Sequence, residues 1–329
     1  MNVTGRFEMP PQKQAIFDKA VRLEWVTIVY LTSAVVFIYL TLGSSQAMKA
    51  AWLEDLLSLL PSISFLVAAR FRDRPPSEEF PFGYHRSVSI AFLCASVALA
   101  AMGSFLLLDS GMKLVTMEHP SIGTIRLFGH TVWLGWPMIA ALLWSGIPAF
   151  VIGRAKLPLA RQLHDKVLHA DAEMNKADWL TASAAIVGVV GIGFGVWWLD
   201  AVAALVISFE ILRDGVRSVR AVVADLMDRR PRSVDETSAE PVSTRIENEM
   251  RKLPWVRDAR ARVRDEGHVF FAEVIVEPSD DRDLVRNIED AQDHLESLDW
   301  RLHEVVIMPV SRIDEDELVR ESPEEATTR

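Results

Sequence analysis

Between Leu23 and Val223 the chain returns repeatedly to apolar runs of about 20 residues, the length a helix needs to cross a bilayer. Beyond Asp228 no such run occurs. In lipid a lone segment can satisfy its backbone only as a helix, so this pattern commits the first two thirds of the chain to membrane helices. Six spans are predicted: about Leu23 to Leu42, Lys49 to Ala69, Val88 to Val115, Leu127 to Ile152, Asp171 to Trp198 and Asp200 to Val223. Residues 1–22 are polar and carry no cleavable leader pattern, so the first run is expected to remain as a span. Gly188, Gly191, Gly193 and Gly195 would allow close helix contacts along the fifth span.

Basic residues alternate between the connections. Arg6, Lys13, Lys19 and Arg22 precede the first span, and Arg70, Arg72, Arg74 and Arg86 follow the second. Arg154, Lys156, Arg161 and Lys166 follow the fourth, and Arg229, Arg230 and Arg232 follow the sixth. The other connections hold little beyond Lys49 and Arg126. Positive loops stay inside, so both termini are expected in the cytoplasm.

The remaining chain reads as soluble. Of 329 residues 24% are charged, and the net charge of -10 comes largely from this half, with no basic, aromatic-interleaved patch that would suit nucleic acid. A polar linker is expected over 229–242, an α+β domain over 243–312 and an acidic, disordered tail over 313–329, after a membrane domain over 1–228. Helical spacing in Ser243 to Leu253, alternation in Val256 to Val263 and Val269 to Val276, a second helix at Leu284 to Leu298 and a strand at Leu302 to Val310 give the order α-β-β-α-β. Cys94 is the sole cysteine, which excludes an intrachain disulfide and a thiolate cluster. Gly-x-Ser-x-Gly, His-Glu-x-x-His and phosphate-binding glycine motifs are absent, so the chain does not read as an enzyme.

The chemistry is concentrated where the fifth span begins. Asp171, Met174, Asn175 and Asp178 fall on one helix face, and ionisable groups at membrane depth are costly enough to be functional candidates. Convergent oxygen ligands there suggest a path for a cation. His169, Asp171 and Glu173 read either as a vestibule that concentrates cations or as a solvated first turn. His268, His294 and His303 in the soluble half lack metal-ligand spacing.

Several segments resemble the cation diffusion facilitator family, over nearly the whole chain. Pro75 to His85, with Pro81-Phe82-Gly83, is similar to that family's Pro-x-Asp-x-x-His-Pro-Phe-Gly-His stretch between the second and third spans. Asp200-Ala-Val-Ala-Ala-Leu-Val-Ile resembles the start of its sixth span and Leu226-Met-Asp228 its exit. The resemblance implies six transmembrane helices plus a cytoplasmic ferredoxin-like α-β-β-α-β domain that pairs in a homodimer. It also implies efflux of a divalent metal (Fe, Mn or Zn) in exchange for protons, across the inner membrane of a bacterium, with no prosthetic group. The alternative is a non-transporting, metal-responsive sensor or scaffold of the same fold.

The family's transport site uses two residues four apart on the second span and two on the fifth. Counting back from Phe82-Gly83 puts Glu54 and Ser58 at the first pair, and Met174 and Asp178 at the second. Asp55 and Asn175 sit one residue away and remain open alternatives. Phe80 and Tyr84 replace two histidines that serve a second metal site in some members, so that site is expected to be missing. The resulting shell is oxygen-rich, which suits Mn²⁺ and Fe²⁺ better than Zn²⁺.

Overall fold

The computed structural model describes residues 9–72, 74, 76–117, 121–127, 130–267, 269–280 and 282–313. The tail after Ile313 and His268 lie outside the described residues. The N-terminal part is helical: α1 (Pro11–Thr41), α2 (Gln46–Leu57), α3 (Leu59–Arg72), α4 (Arg86–Val115), α5 (Gly135–Leu163), α6 (Lys166–Gly193) and α7 (Trp198–Leu226). Five stretches among the described residues are long and apolar enough to cross a membrane: α1, α2 with most of α3, α4 from Phe92, α5 and α6. α7 is as long but carries Glu210, Arg213, Asp214, Arg217, Arg220 and Asp225 from its middle onward.

The expected second span is interrupted at Ser58, and the sequence gives the reason. Pro61 has no amide hydrogen to donate to Leu57, and its ring crowds the carbonyl four residues back, so the ladder breaks there. Helix α2 is capped by Ser45, whose hydroxyl accepts from Met48 N at 3.1 Å. Asp200, at the start of α7, completes that cap from outside: it accepts from Ser45 Oγ at 2.5 Å, Gln46 N at 2.6 Å and Ala47 N at 3.2 Å. A buried carboxylate at a helix N-terminus satisfies orphan amides and meets the positive end of the dipole.

The fourth span begins later than hydropathy suggests. Thr124–Leu127 and His130–Trp133 form an antiparallel pair, β1 and β2, and α5 starts only at Gly135. Small residues set the helix spacing. A Cβ on Gly103 would lie 2.6 Å from Leu212 N, and one on Gly215 would lie 2.5 Å from Ala100 N, so α4 and α7 touch backbone to backbone. Of the glycines expected to allow contact on α6, Gly188 meets Asp200 and Ala203, Gly191 meets Leu199, and Gly193 meets Trp133. Gly195 has open space and a φ of +81, which makes it a turn residue instead.

The C-terminal part runs α8 (Val242–Met250), β3 (Val256–Glu266), β4 (Val269–Pro278), α9 (Leu284–Leu298) and β5 (Leu302–Pro309). Its sheet has the order β3-β4-β5, antiparallel across the first pair and parallel across the second, with α9 as the crossover. Ile246, Met250, Val263, Val274, Leu295 and Val305 form the core beneath α8 and α9. Phe271 is packed instead against His85, from the segment before α4, and His303 on β5.

Ion pairs join the two parts. Arg86 bonds Asp228 at 2.5 Å and Glu266 at 3.3 Å. Lys166 gathers Asp225, Glu236 and Asp265 at 3.4, 3.1 and 3.0 Å. The connecting segment is therefore docked: Arg232 pairs with Ala239, and Glu236 reaches back to α6.

Candidate functional site

The break at Ser58 lies opposite the polar turn of α6, and the two bring together most of the residues singled out from the sequence. On α6, Asn175 is 0% exposed and Asp178 3%; across from them Ser58 is 0% and Asp55 3%. Glu54 is partly buried. Gly146 on α5 lets this group close up, since a Cβ there would come 2.8 Å from Ala182 Cβ and 3.1 Å from Trp179 Cα.

The hydrogen bonds sort the oxygens into held and bare. Thr181 Oγ1 donates to Glu54 Oε1 at 2.8 Å and leaves Oε2 without a partner. Asn175 donates its amide to the Asp171 carbonyl at 2.8 Å, which aims Oδ1 away with nothing to bond. Asp178 Oδ2 and Ser58 Oγ are also buried and unpartnered, with the Ser58 hydroxyl beside the Asp178 carboxylate but outside hydrogen-bond geometry. Asp55 differs: Ser145 Oγ donates between its two oxygens at 2.9 and 2.7 Å. Glu54, Asp55 and Asp178 lie within electrostatic reach of one another. Buried polar atoms are nearly always paired, so four bare oxygens in one region call for an occupant. Among the described residues no three His, Cys, Asp or Glu side chains are arranged to hold a metal by themselves. Any ion here must draw on the amide and hydroxyl oxygens too.

The expected entrance residues separate. His169 and Glu173 line a cavity of about 490 Å³ at the junction with the C-terminal domain, together with Asp214, Asp225 and Asp265. Met174 lines it too, while also packing on the helix core; Asn175, next in sequence, does not line it. Asp171 is absent from that lining. It is 0% exposed and accepts from Lys156 Nζ and from Ser62 Oγ, the latter at 3.0 Å.

Sequence reasoning missed the partners. Lys156, counted among the solvated loop charges, is 0% exposed on α5 and bonded to Glu24 and Asp171. Glu24 passed unnoticed at the start of the first apolar run, although a lone carboxylate there is the signal that marked Asp178. Ser145 and Thr181 carried no signal, because small hydroxyls are ordinary helix-contact residues.

The family model described as the cation efflux transmembrane domain matches residues 24–227, more than half of the chain. The chain is 25% identical over 277 residues to the manganese efflux system protein MneS of Bacillus subtilis, covering 83% of this chain and 86% of that protein. It is 22% identical over 275 residues to MneP of the same organism, covering 81% and 85%. It is 25% identical over 246 residues to the cation-efflux pump FieF of Cronobacter sakazakii, covering 74% and 75%. The family match runs through every helix from α1 to α7, including both faces of the oxygen-lined break: this chain is an integral membrane protein of the cation efflux family.

Proposed function

We propose that this chain exports a divalent metal cation, Mn²⁺ or Fe²⁺ in preference to Zn²⁺, across the bacterial plasma membrane in exchange for protons. It does so as a homodimer of six-span chains, α7 being the sixth span, with both termini cytoplasmic. The observation that carries this reading is the set of four buried, unpartnered oxygens: Glu54 Oε2, Ser58 Oγ, Asn175 Oδ1 and Asp178 Oδ2. An all-oxygen shell suits Mn²⁺ and Fe²⁺, whereas zinc favours nitrogen and sulfur. Relatives named for manganese efflux agree with that preference.

Each residue has a role in the proposal. Glu54 and Asp178 supply the charge, and Asn175 and Ser58 complete the shell without adding more. Thr181 fixes one oxygen of Glu54 so that the other faces the ion, and Asp55, engaged by Ser145, holds α2 against α5. The break at Ser58 lets the two halves of the span shift around the ion. Glu173, Asp214 and Asp225 draw cations into the cytoplasmic cavity that Met174 also lines. Neighbouring carboxylates closed off from water need a proton or a cation between them, and one oxygen cannot hold both, so the two species exchange.

Uptake into sealed proteoliposomes, with a panel of divalent ions and with or without a pH gradient, tests the reading. Mn²⁺ movement that quickens with the gradient is expected. No movement of any ion would point instead to a sensor or scaffold.

A further inference from the structure

The membrane domain holds a second polar centre, set apart from the bare oxygens. Glu24 on α1, Lys156 on α5 and Asp171 on α6 are all 0% exposed. Lys156 Nζ donates to Glu24 Oε2 at 2.9 Å and also to Asp171 Oδ2. Ser62 on α3 donates to the other Asp171 oxygen at 3.0 Å. The groups facing Glu24 are Lys156 from α5, Asp171 from α6 and Ser62 from α3. Arg22 on its own helix is exposed.

The charges do not balance. Two carboxylates share one ammonium, so one negative charge is left without a counter-ion where water does not reach, an arrangement proteins avoid. A proton is the simplest remedy, and the hydrogen bonds say where it belongs. Both oxygens of Asp171 already accept. Glu24 Oε2 accepts as well, but Glu24 Oε1 is buried without a partner. A proton on Oε1 converts a stranded acceptor into a donor, and the neighbouring Ser62 oxygen has a lone pair to receive it.

We propose that Glu24 carries a proton exchanged against the transported cation, at a position separate from the oxygens that hold the ion. This rests on the cation-efflux reading above. The coupling runs along α6. Asp171 takes the Asn175 amide on its carbonyl, and Asp178 lies within electrostatic reach of both Asp171 and Lys156. A divalent cation arriving at Asn175 and Asp178 makes the surroundings more positive. The Oε1–H bond of Glu24 then breaks, its electron pair stays on the carboxylate, and the proton is released to water on the cytoplasmic side. Glu24 becomes a full counter-charge to Lys156. Once the cation leaves outward, Glu24 takes a proton from water on that side.

The test is calorimetric titration of Mn²⁺ into the purified full-length protein, in buffers of different ionisation enthalpy, which counts protons released per ion. Glu24→Gln should bind Mn²⁺ and release roughly one proton fewer than the wild type. In proteoliposomes a pH gradient should accelerate its Mn²⁺ transport less than it accelerates that of the wild type. An unchanged proton count overturns the proposal, and a lowered melting temperature with that unchanged count is what a purely structural triad predicts. If the wild type binds no divalent ion, the efflux reading fails by itself. The infrared carbonyl band of a protonated carboxyl then decides the matter for Glu24: it should be present at neutral pH and shifted in Glu24→Asp. This holds even if Glu24→Gln does not fold, and a spectrum that Glu24→Asp leaves unchanged overturns the proposal.

Discussion

Replacing Lys156 with methionine tests the buried ion network with a large expected effect. Methionine fills most of the lysine stem's volume but removes the ammonium that serves Glu24 and Asp171, all three at 0% exposure. Removing one partner of a buried pair costs about 3–5 kcal/mol, because the other charge is left stranded. With Glu24 carrying its own proton the stranded charge is Asp171 alone, which puts the loss at about 3 kcal/mol, roughly two orders of magnitude in the folded ratio. Adding Asp171→Asn to Lys156→Met removes that charge and should return most of the loss, a strongly non-additive pair. Thermal melting of the purified full-length protein, followed by tryptophan fluorescence, reads the cycle. Lys156→Met should melt well below the wild type, Asp171→Asn less far below because Glu24 can then ionise beside Lys156, and the double variant close to the wild type. Additive losses, or Lys156→Met melting with the wild type, would show that the network does not bear charge as described.

Three further outcomes follow from particular contacts. Asp200→Ala strips the external cap from α2 and should cost about 1–2 kcal/mol, read as a lower melting temperature that Asp200→Asn partly restores. Met174→His adds an imidazole at the cavity end of the oxygen shell and should shift preference toward Zn²⁺, measured by Zn²⁺ against Mn²⁺ competition binding. Burial beside Phe271 and His85 holds His303 below its ordinary 6.5, so the unfolded chain takes up the proton more readily. Its contribution to stability is therefore present above 6.5 and lost as the pH falls through that region, and His303→Phe should flatten this part of the melting-temperature profile.

In the C-terminal domain β3 and α9 lie where alternation and helical spacing put them, and β4, buried along most of its length, was legible from its run of β-branched and aromatic residues. Hydropathy sees depth and length but not conformation. It carried Leu127 and His130 to Trp133 into a span although these belong to the paired strands β1 and β2, rich in β-branched and aromatic side chains. It also ran across Ser58, although Pro61 marked the break in plain sight. In the candidate site, Asp178 and Asn175 were legible because charge and amide at membrane depth are expensive. The choice between Glu54 and Asp55 was not, since adjacent residues differ only by the partners folding brings. Ser145 turned out to occupy Asp55, and Thr181 to leave one Glu54 oxygen bare. Lys156 was misplaced for a related reason: a rule that counts basic residues near span ends cannot tell a solvated lysine from one drawn inward by two carboxylates.

The central claim, that the bare oxygens around Ser58 hold the transported cation, is tested most directly by Asp178→Ala in proteoliposomes with an imposed pH gradient. Metal-sensitive fluorescence would be followed alongside wild type and Glu54→Ala. Asp178 contributes a buried, unpartnered carboxylate oxygen, so its loss should abolish Mn²⁺ transport while expression and oligomeric state stay as in the wild type. Glu54→Ala should behave alike, and Asp55→Ala should keep part of the activity. Mn²⁺ transport by Asp178→Ala at the wild-type rate would place the cation path elsewhere and contradict the account.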